Sequence, residues 1–292
     1  MVSVILPTIN AGEVIGKLLS AVNNQTVKCE LIVIDSSSSD GTPEIAGSYS
    51  AKVISIEKTA FNHGGARNYA VRHSQGEIIV FLTQDALLCD EYCIERLIKP
   101  LEQADVAASY GRQIPREDAK PTEHFARIFN YPEMPLIKGL EQVPEMGIKT
   151  FFFSNVFSAI RKKEFEKLGG FPDNIIMFED MIYAAKLVVN GFRIAYVPEA
   201  KVMHSHNYSL AGQFRRYYYA GISFKKQPWF LKYARSNREG MNYFRQQMRY
   251  LLKERRYPWV LYALCETFCK YCGYHLGLHC NKAAVTLPQG RT

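Results

Sequence analysis

The chain has 292 residues, 47% of them hydrophobic, with seven cysteines and a formal charge of +8. It is long and apolar enough to bury a full core, which excludes a disordered chain, and an odd cysteine count suits a reducing compartment better than a disulfide framework. The charge is uneven: from Leu210 onward 15 Lys and Arg stand against three acids, a surplus of +12, which leaves the remainder at −4.

Short apolar runs rich in β-branched residues stand at 2–6, 31–34, 53–56, 78–82 and 106–109, separated by stretches with helical spacing. This rhythm predicts βαβ units and an α/β fold with a mostly parallel sheet covered by helices on both faces. The first run begins directly after Met1 without a basic leader or cleavage site, so the expected compartment is the cytoplasm. Its turn, Pro7-Thr8-Ile9-Asn10-Ala11-Gly12, lacks the Gly-x-Gly-x-x-Gly of a dinucleotide-dependent oxidoreductase.

Ligands of such sheets bind beyond the carboxyl ends of the strands, where this sequence places polar residues. Asp35 ends the second run and leads into Ser36-Ser37-Ser38-Ser39-Asp40-Gly41, read either as a helix cap or as a holder of a polar ligand. Asn62-His63-Gly64-Gly65-Ala66-Arg67 opens a helix; its glycine amides and Arg67 are suited to a phosphate. Gln84-Asp85 follows the fourth run and delivers a carboxylate that is either a cap or a ligand to a divalent ion.

Residues 112–149 are rich in prolines and charges and predict a loop-rich insertion with one or two short helices. Helices are expected at 162–168, stopped by Gly169-Gly170, and from near Glu179 to Asn190-Gly191. Glu179-Asp180 in a first turn are either dipole partners or a base aimed into a pocket. His204-Ser205-His206 after a strand is a credible ligand pair. Beyond it the chain reads as basic, aromatic helices. Cys265, Cys269 and Cys272 share one helical face, read as a buried stripe in preference to a zinc site with His275, His279 and Cys280.

As a set, these segments resemble family-two inverting glycosyltransferases of the glycosyltransferase A fold, and within them bacterial rhamnosyltransferases, over residues 2–221. The resemblance implies a nucleotide-sugar site formed by Pro7, Thr8, Asp35, Ser37, Asn62, Gly65, Arg67, Gln84 and Asp85, with Asp35 on the pyrimidine base. It implies a metal, Mg2+ or Mn2+, at Asp85 and His204, although Thr83-Gln84-Asp85 stands where the family usually has two aspartates. Asp180 is implied as the general base, Glu179 less so, and Ser154 and Asn155 line the acceptor side. The Gln-Asp-Ala form implies dTDP-rhamnose as donor to a saccharide acceptor, lipid-linked by expectation; a hexose or N-acetylhexosamine from a UDP-sugar is the alternative.

The expected division is a catalytic domain over 1–212 and a helical segment over 213–292. The segment's charge and aromatics suit an anionic membrane surface, which predicts peripheral attachment to the inner face of the plasma membrane, with homo-oligomerisation as the other use of such helices. A nucleic-acid-binding protein would account for that tail but leaves Asp35, Asp85 and Asp180 unexplained, so no nucleic acid is expected.

Overall fold

The computed structural model describes residues 1–233 and 237–280; residues 234–236 and 281–292, the latter the end of the expected 213–292 segment, lie outside it. The first half alternates β1 (Val2–Thr8), α1 (Ile15–Asn23), β2 (Cys29–Asp35), α2 (Thr42–Ser48), β3 (Lys52–Ser55), α3 (His63–Arg72), β4 (Ile78–Leu82), β5 (Leu87–Leu88), α4 (Cys93–Ile98) and β6 (Val106–Ile114). There follow α5 (Pro121–Asn130), β7 (Leu136–Lys138), α6 (Val143–Met146), β8 (Phe157–Arg161), α7 (Lys162–Lys167), α8 (Glu179–Val189) and β9 (Arg193–Met203). Helices α9 (Leu210–Lys225), α10 (Pro228–Tyr233), α11 (Asn237–Lys253) and α12 (Tyr257–His279) complete the described chain.

The strands form one sheet in the order β3-β2-β1-β4-β8-β6-β9-β5, with β7 also on β9. Side chains of the apolar runs alternate between two buried clusters. Ile5, Ile32, Ile34, Ile79 and Phe81 pack with Ala66 and Ala70 of α3 and Ile182 and Leu187 of α8. Val4, Leu6, Leu31, Val33, Val80 and Leu82 pack with Ile15, Leu18 and Leu19 of α1 and Ile94 and Leu97 of α4. Runs without polar alternation therefore mark strands covered on both sides, each such side chain contributing about 1.5–3 kcal/mol.

The pairs β1/β2, β2/β3, β1/β4 and β6/β9 are parallel, but β8 runs antiparallel between β4 and β6. The ends of β1, β2, β4, β6 and β9 and the beginning of β8 consequently share one edge, which brings Ser154, just before β8, onto Gln113 of β6 and so close to His204. Residues 112–149 are more ordered than the sequence suggests: β6 runs to Ile114, α5 has ten residues, and β7 adds a strand.

Helix α9 begins at Leu210, so the expected division at 212/213 falls inside it, and Phe224 and Phe230 of α9 and α10 belong to the same core as the sheet. The cysteine stripe is corrected. Cys265 is exposed and Cys269 and Cys272 are half-buried, because α12 packs onto α9 through another side, where Gly273 and Gly277 meet the backbone of α9. No cluster able to hold a metal occurs there among the described residues.

Candidate active site

At the end of β4, half-buried Asp85 points its Oδ2 at His204 Nε2 and His206 Nε2, 3.3 Å from each. These three are the one group among the described residues whose ligand atoms converge within 4.8 Å. His204 is fixed by β6: its Nδ1 lies 3.0 Å from Oε1 of buried Gln113, whose Nε2 donates to Ser154 Oγ at 3.0 Å. That partnership turns the other ring nitrogen toward Asp85.

Burial and the neighbouring His204 push His206 down to about 4, so its ring is a neutral imidazole at neutral pH. Burial alone would raise the Asp85 carboxyl, yet the hydrogen bond of His204, and the charges the two histidines carry when protonated at low pH, hold it well below the usual carboxylate range. A carboxylate and two imidazole nitrogens facing one another are a fitting donor set for a divalent cation, and imidazoles suit Mn2+ better than Mg2+.

Gln84 is occupied otherwise. Its Oε1 accepts from Ile9 N at 2.8 Å and its Nε2 donates to Ile9 O at 3.2 Å, fastening the β1–α1 loop to the end of β4. The other side of that loop is held by Ser38 on Asn10 N, Thr42 on Ala11 N and Asp40 on Gly12 N. An aspartate here could accept from Ile9 N but has no N–H to give the Ile9 carbonyl, so it cannot make both bonds. Loss of two neutral hydrogen bonds in Gln84→Ala should cost about 1–2 kcal/mol of loop order, seen as a roughly tenfold higher KM for the nucleotide-sugar donor that the sequence resemblance implies, with kcat nearly unchanged. An unchanged KM in steady-state kinetics would remove this role.

Pro7 lies in β1 opposite Ile34, and Thr8 opposite Asp35. Asp35 is 1% exposed and accepts from Thr8 Oγ1 (2.9 Å), Ser38 Oγ (2.6 Å) and Ser38 N (2.8 Å). Its Oδ2 keeps a lone pair. Ser37, at φ 56°, donates to the Ile56 carbonyl.

The start of α3 differs from the phosphate cradle that the sequence suggests. Asn62 caps the helix, its Oδ1 accepting from Gly64 N at 3.0 Å and Gly65 N at 2.9 Å, so those amides are already partnered. Gly64 is required for another reason: a Cβ there would collide with the Pro172 carbonyl of the loop before α8. Arg67 is buried and donates to Glu179 Oε1 at 3.0 Å and to the His63 carbonyl, so its charge serves Glu179.

This pairing separates the two acids at the head of α8. Glu179 turns inward to Arg67, with Asn155 Nδ2 at 3.5 Å. Asp180 accepts from Asn155 N at 3.1 Å and Met181 N at 2.8 Å. Burial, and next the charge of Glu179, raise the Asp180 carboxyl to about 7, the range of a working general base. Phe178, immediately before, holds a left-handed φ of 66° and packs against Phe224 at 5.3 Å between ring centres, under the Arg216 guanidinium at 5.7 Å.

The sequence offered His204 and His206 as a ligand pair, but the family resemblance carried only His204 to the metal; Gln113 and Arg216 it did not single out. Arg216, on α9, sits over the Tyr208 ring at 5.5 Å and donates to the Tyr208 hydroxyl at 3.3 Å. Its charge acts on Asp180, His63, His206 and Tyr131, which places it centrally.

The profile of the family described as Glycosyl transferase family 2 matches residues 3–169. The chain is 40% identical to the O-antigen chain rhamnosyltransferase RfbN of Salmonella typhimurium, over 95% of this chain and 90% of that protein. It is 41% identical to the O-antigen chain rhamnosyltransferase WbaN of Salmonella anatum, over 95% and 89%. Among solved structures, the mannosyltransferase PcManGT of Pyrobaculum calidifontis, in complex with GDP-Man and Mn2+, superposes with a TM-score of 0.63 at 21% identity, over 95% of this chain and 85% of that one, a likeness of fold. The sheet with its polar carboxyl edge, the family profile and the near full-length relatives agree: the chain is an enzyme of glycosyltransferase family 2, with the glycosyltransferase A fold.

Proposed function

We propose that the enzyme transfers L-rhamnose from dTDP-rhamnose, with inversion, to a lipid-linked saccharide acceptor during synthesis of a cell-surface polysaccharide, at the cytoplasmic side of the membrane. The observation that carries this reading is the 40% identity to the Salmonella rhamnosyltransferase over 95% of this chain, which spans both the Asp85 corner and the Asp180 corner. The free lone pair of Asp35 suits the imide N–H of a thymine or uracil base, and Asp85, His204 and His206 suit a divalent ion. Such an ion, when bound, would hold the donor diphosphate and offset its charge.

The remaining chemistry belongs to this chain's own residues. Asp180 takes the proton from the acceptor hydroxyl as that oxygen forms its bond to the anomeric carbon. The bond from that carbon to the diphosphate oxygen breaks on the opposite side. Arg216 faces the negative charge that gathers on the leaving diphosphate. Ser154 and Asn155, between Gln113 and Asp180, border the acceptor side.

Incubation with a panel of sugar nucleotides and Mn2+ tests the donor. Hydrolysis or transfer should be fastest with dTDP-rhamnose and should stop in excess EDTA. Preference for a UDP-hexose or UDP-N-acetylhexosamine by tenfold or more in kcat/KM would replace the rhamnosyl assignment; tenfold corresponds to about 1.4 kcal/mol in the transition state.

A further inference from the structure

We infer that the α11–α12 hairpin is the surface by which this enzyme docks on an anionic phospholipid membrane, an inference that rests on the lipid-linked acceptor proposed above for its purpose. One side of α12 is committed to the protein. Gly273 and Gly277 lie so close to the Phe214 and Tyr218 carbonyls of α9, and Gly221 to the Tyr274 carbonyl of α12, that a side chain at any of the three would strike backbone. Glu266, 4% exposed, and Lys270 pair at 3.5 Å on this packed side.

The other side exposes Tyr257 (62%), Leu261 (68%), Leu264 (45%), Phe268 (68%), Tyr271 (63%) and Leu276 (56%). The alternating four- and three-residue steps from Tyr257 to Tyr271 keep these five on one face of the helix, with Leu276 at its margin, and at 1.5 Å per residue the stripe is roughly 20 Å long. No Lys, Arg, Asp or Glu is exposed along it. No helix among the described residues is long and apolar enough to cross a membrane, so the stripe is an interfacial one.

Charge selects the occupant. Helix α11 exposes Arg245, Arg249 and Lys253 at four-residue intervals, and the turn adds exposed Arg255 and Arg256 directly before Tyr257. Glu254 is the one exposed acid among the described residues of the hairpin. A second copy would bring no matching acidic surface from this hairpin, whereas anionic headgroups complement the five bases and the acyl boundary takes the Tyr, Leu and Phe side chains. The stripe is tied to the reaction centre by Tyr262 on α12, whose hydroxyl donates to the Tyr208 carbonyl at 3.2 Å, the same tyrosine whose hydroxyl accepts from Arg216.

The test is flotation of the full chain with phosphatidylcholine vesicles, with and without phosphatidylglycerol, under reducing conditions. Recovery should require phosphatidylglycerol and fall with salt. Leu261→Glu/Phe268→Glu should lose flotation, and Arg255→Glu/Arg256→Glu should weaken it by about tenfold or more. Both variants should keep the circular dichroism melt and the turnover of sugar nucleotide with a soluble acceptor. Equal recovery on neutral vesicles overturns the proposal, as does none on either. So does a doubled mass in sedimentation that the Leu261→Glu/Phe268→Glu change abolishes, which would make the stripe a dimer seam. Donor turnover is read on the same preparations, so flotation without rhamnosyl turnover counts against the rhamnosyl reading alone.

Discussion

Asp180→Asn should leave nucleotide-sugar binding intact and lower the transfer rate by about a thousandfold, within the usual range for loss of a general base. The amide keeps the shape of the carboxyl and offers the same oxygen to Asn155 N or Met181 N, but it cannot take a proton. Donor affinity by isothermal titration and transfer by single-turnover kinetics separate the two effects; weakened donor affinity with an unchanged transfer rate would move the base elsewhere. The wild-type rate should fall as pH drops through about 7, because the base must be ionised and its carboxyl is raised to that range.

The stability consequence has the opposite sense. A carboxyl whose folded pKa lies above its unfolded value of about 3.9 favours the fold while protonated, and this contribution is lost as pH rises from about 4 through 7. At pH 8 the wild type carries a buried, strained charge that the asparagine removes. Asp180→Asn should therefore melt a few degrees higher than wild type at pH 8 and show less difference at pH 4.

Asp85→Ala should abolish Mn2+ binding and reduce turnover at least a hundredfold, while the fold persists, since the half-buried Asp85 carboxylate pairs with two histidine side chains at the sheet edge. Electron paramagnetic resonance of added Mn2+ gives a readout independent of turnover: the free-ion signal should be quenched by wild type and not by the variant. His206→Ala should weaken the ion by about ten- to a hundredfold and be partly compensated by excess Mn2+. Full turnover by Asp85→Ala in EDTA would end the metal assignment.

The donor half of the sheet was legible because β1, β2 and β4 are continuous apolar runs, a pattern that burial on both faces alone requires. β8 was not: Phe157-Ser158-Ala159-Ile160-Arg161 interrupts its apolar run with a serine that is buried and bonded to Asn155. Helix periodicity showed that Cys265, Cys269 and Cys272 share a face of α12, but which face meets the protein depends on Gly221, far away in sequence. At the site, Asp85, His204 and Asp180 stand in motifs with a chemical rationale of their own. Gln113 and Arg216 acquire meaning only from convergence, and Gln84, Asn62 and Arg67 turn out to hold backbone or another side chain where the sequence suggested a ligand.

Phe178 carries a conformation that a bulky residue adopts at a cost of about 1–2 kcal/mol, and what holds it there is α9, through the Phe224 ring and the Arg216 guanidinium. The aim of Asp180, two residues on, is thus set from the helix that also carries Arg216. In the proposed reaction, proton removal at the acceptor and charge at the departing diphosphate would share a single mounting. A displacement of α9 would therefore disturb the two proposed roles together.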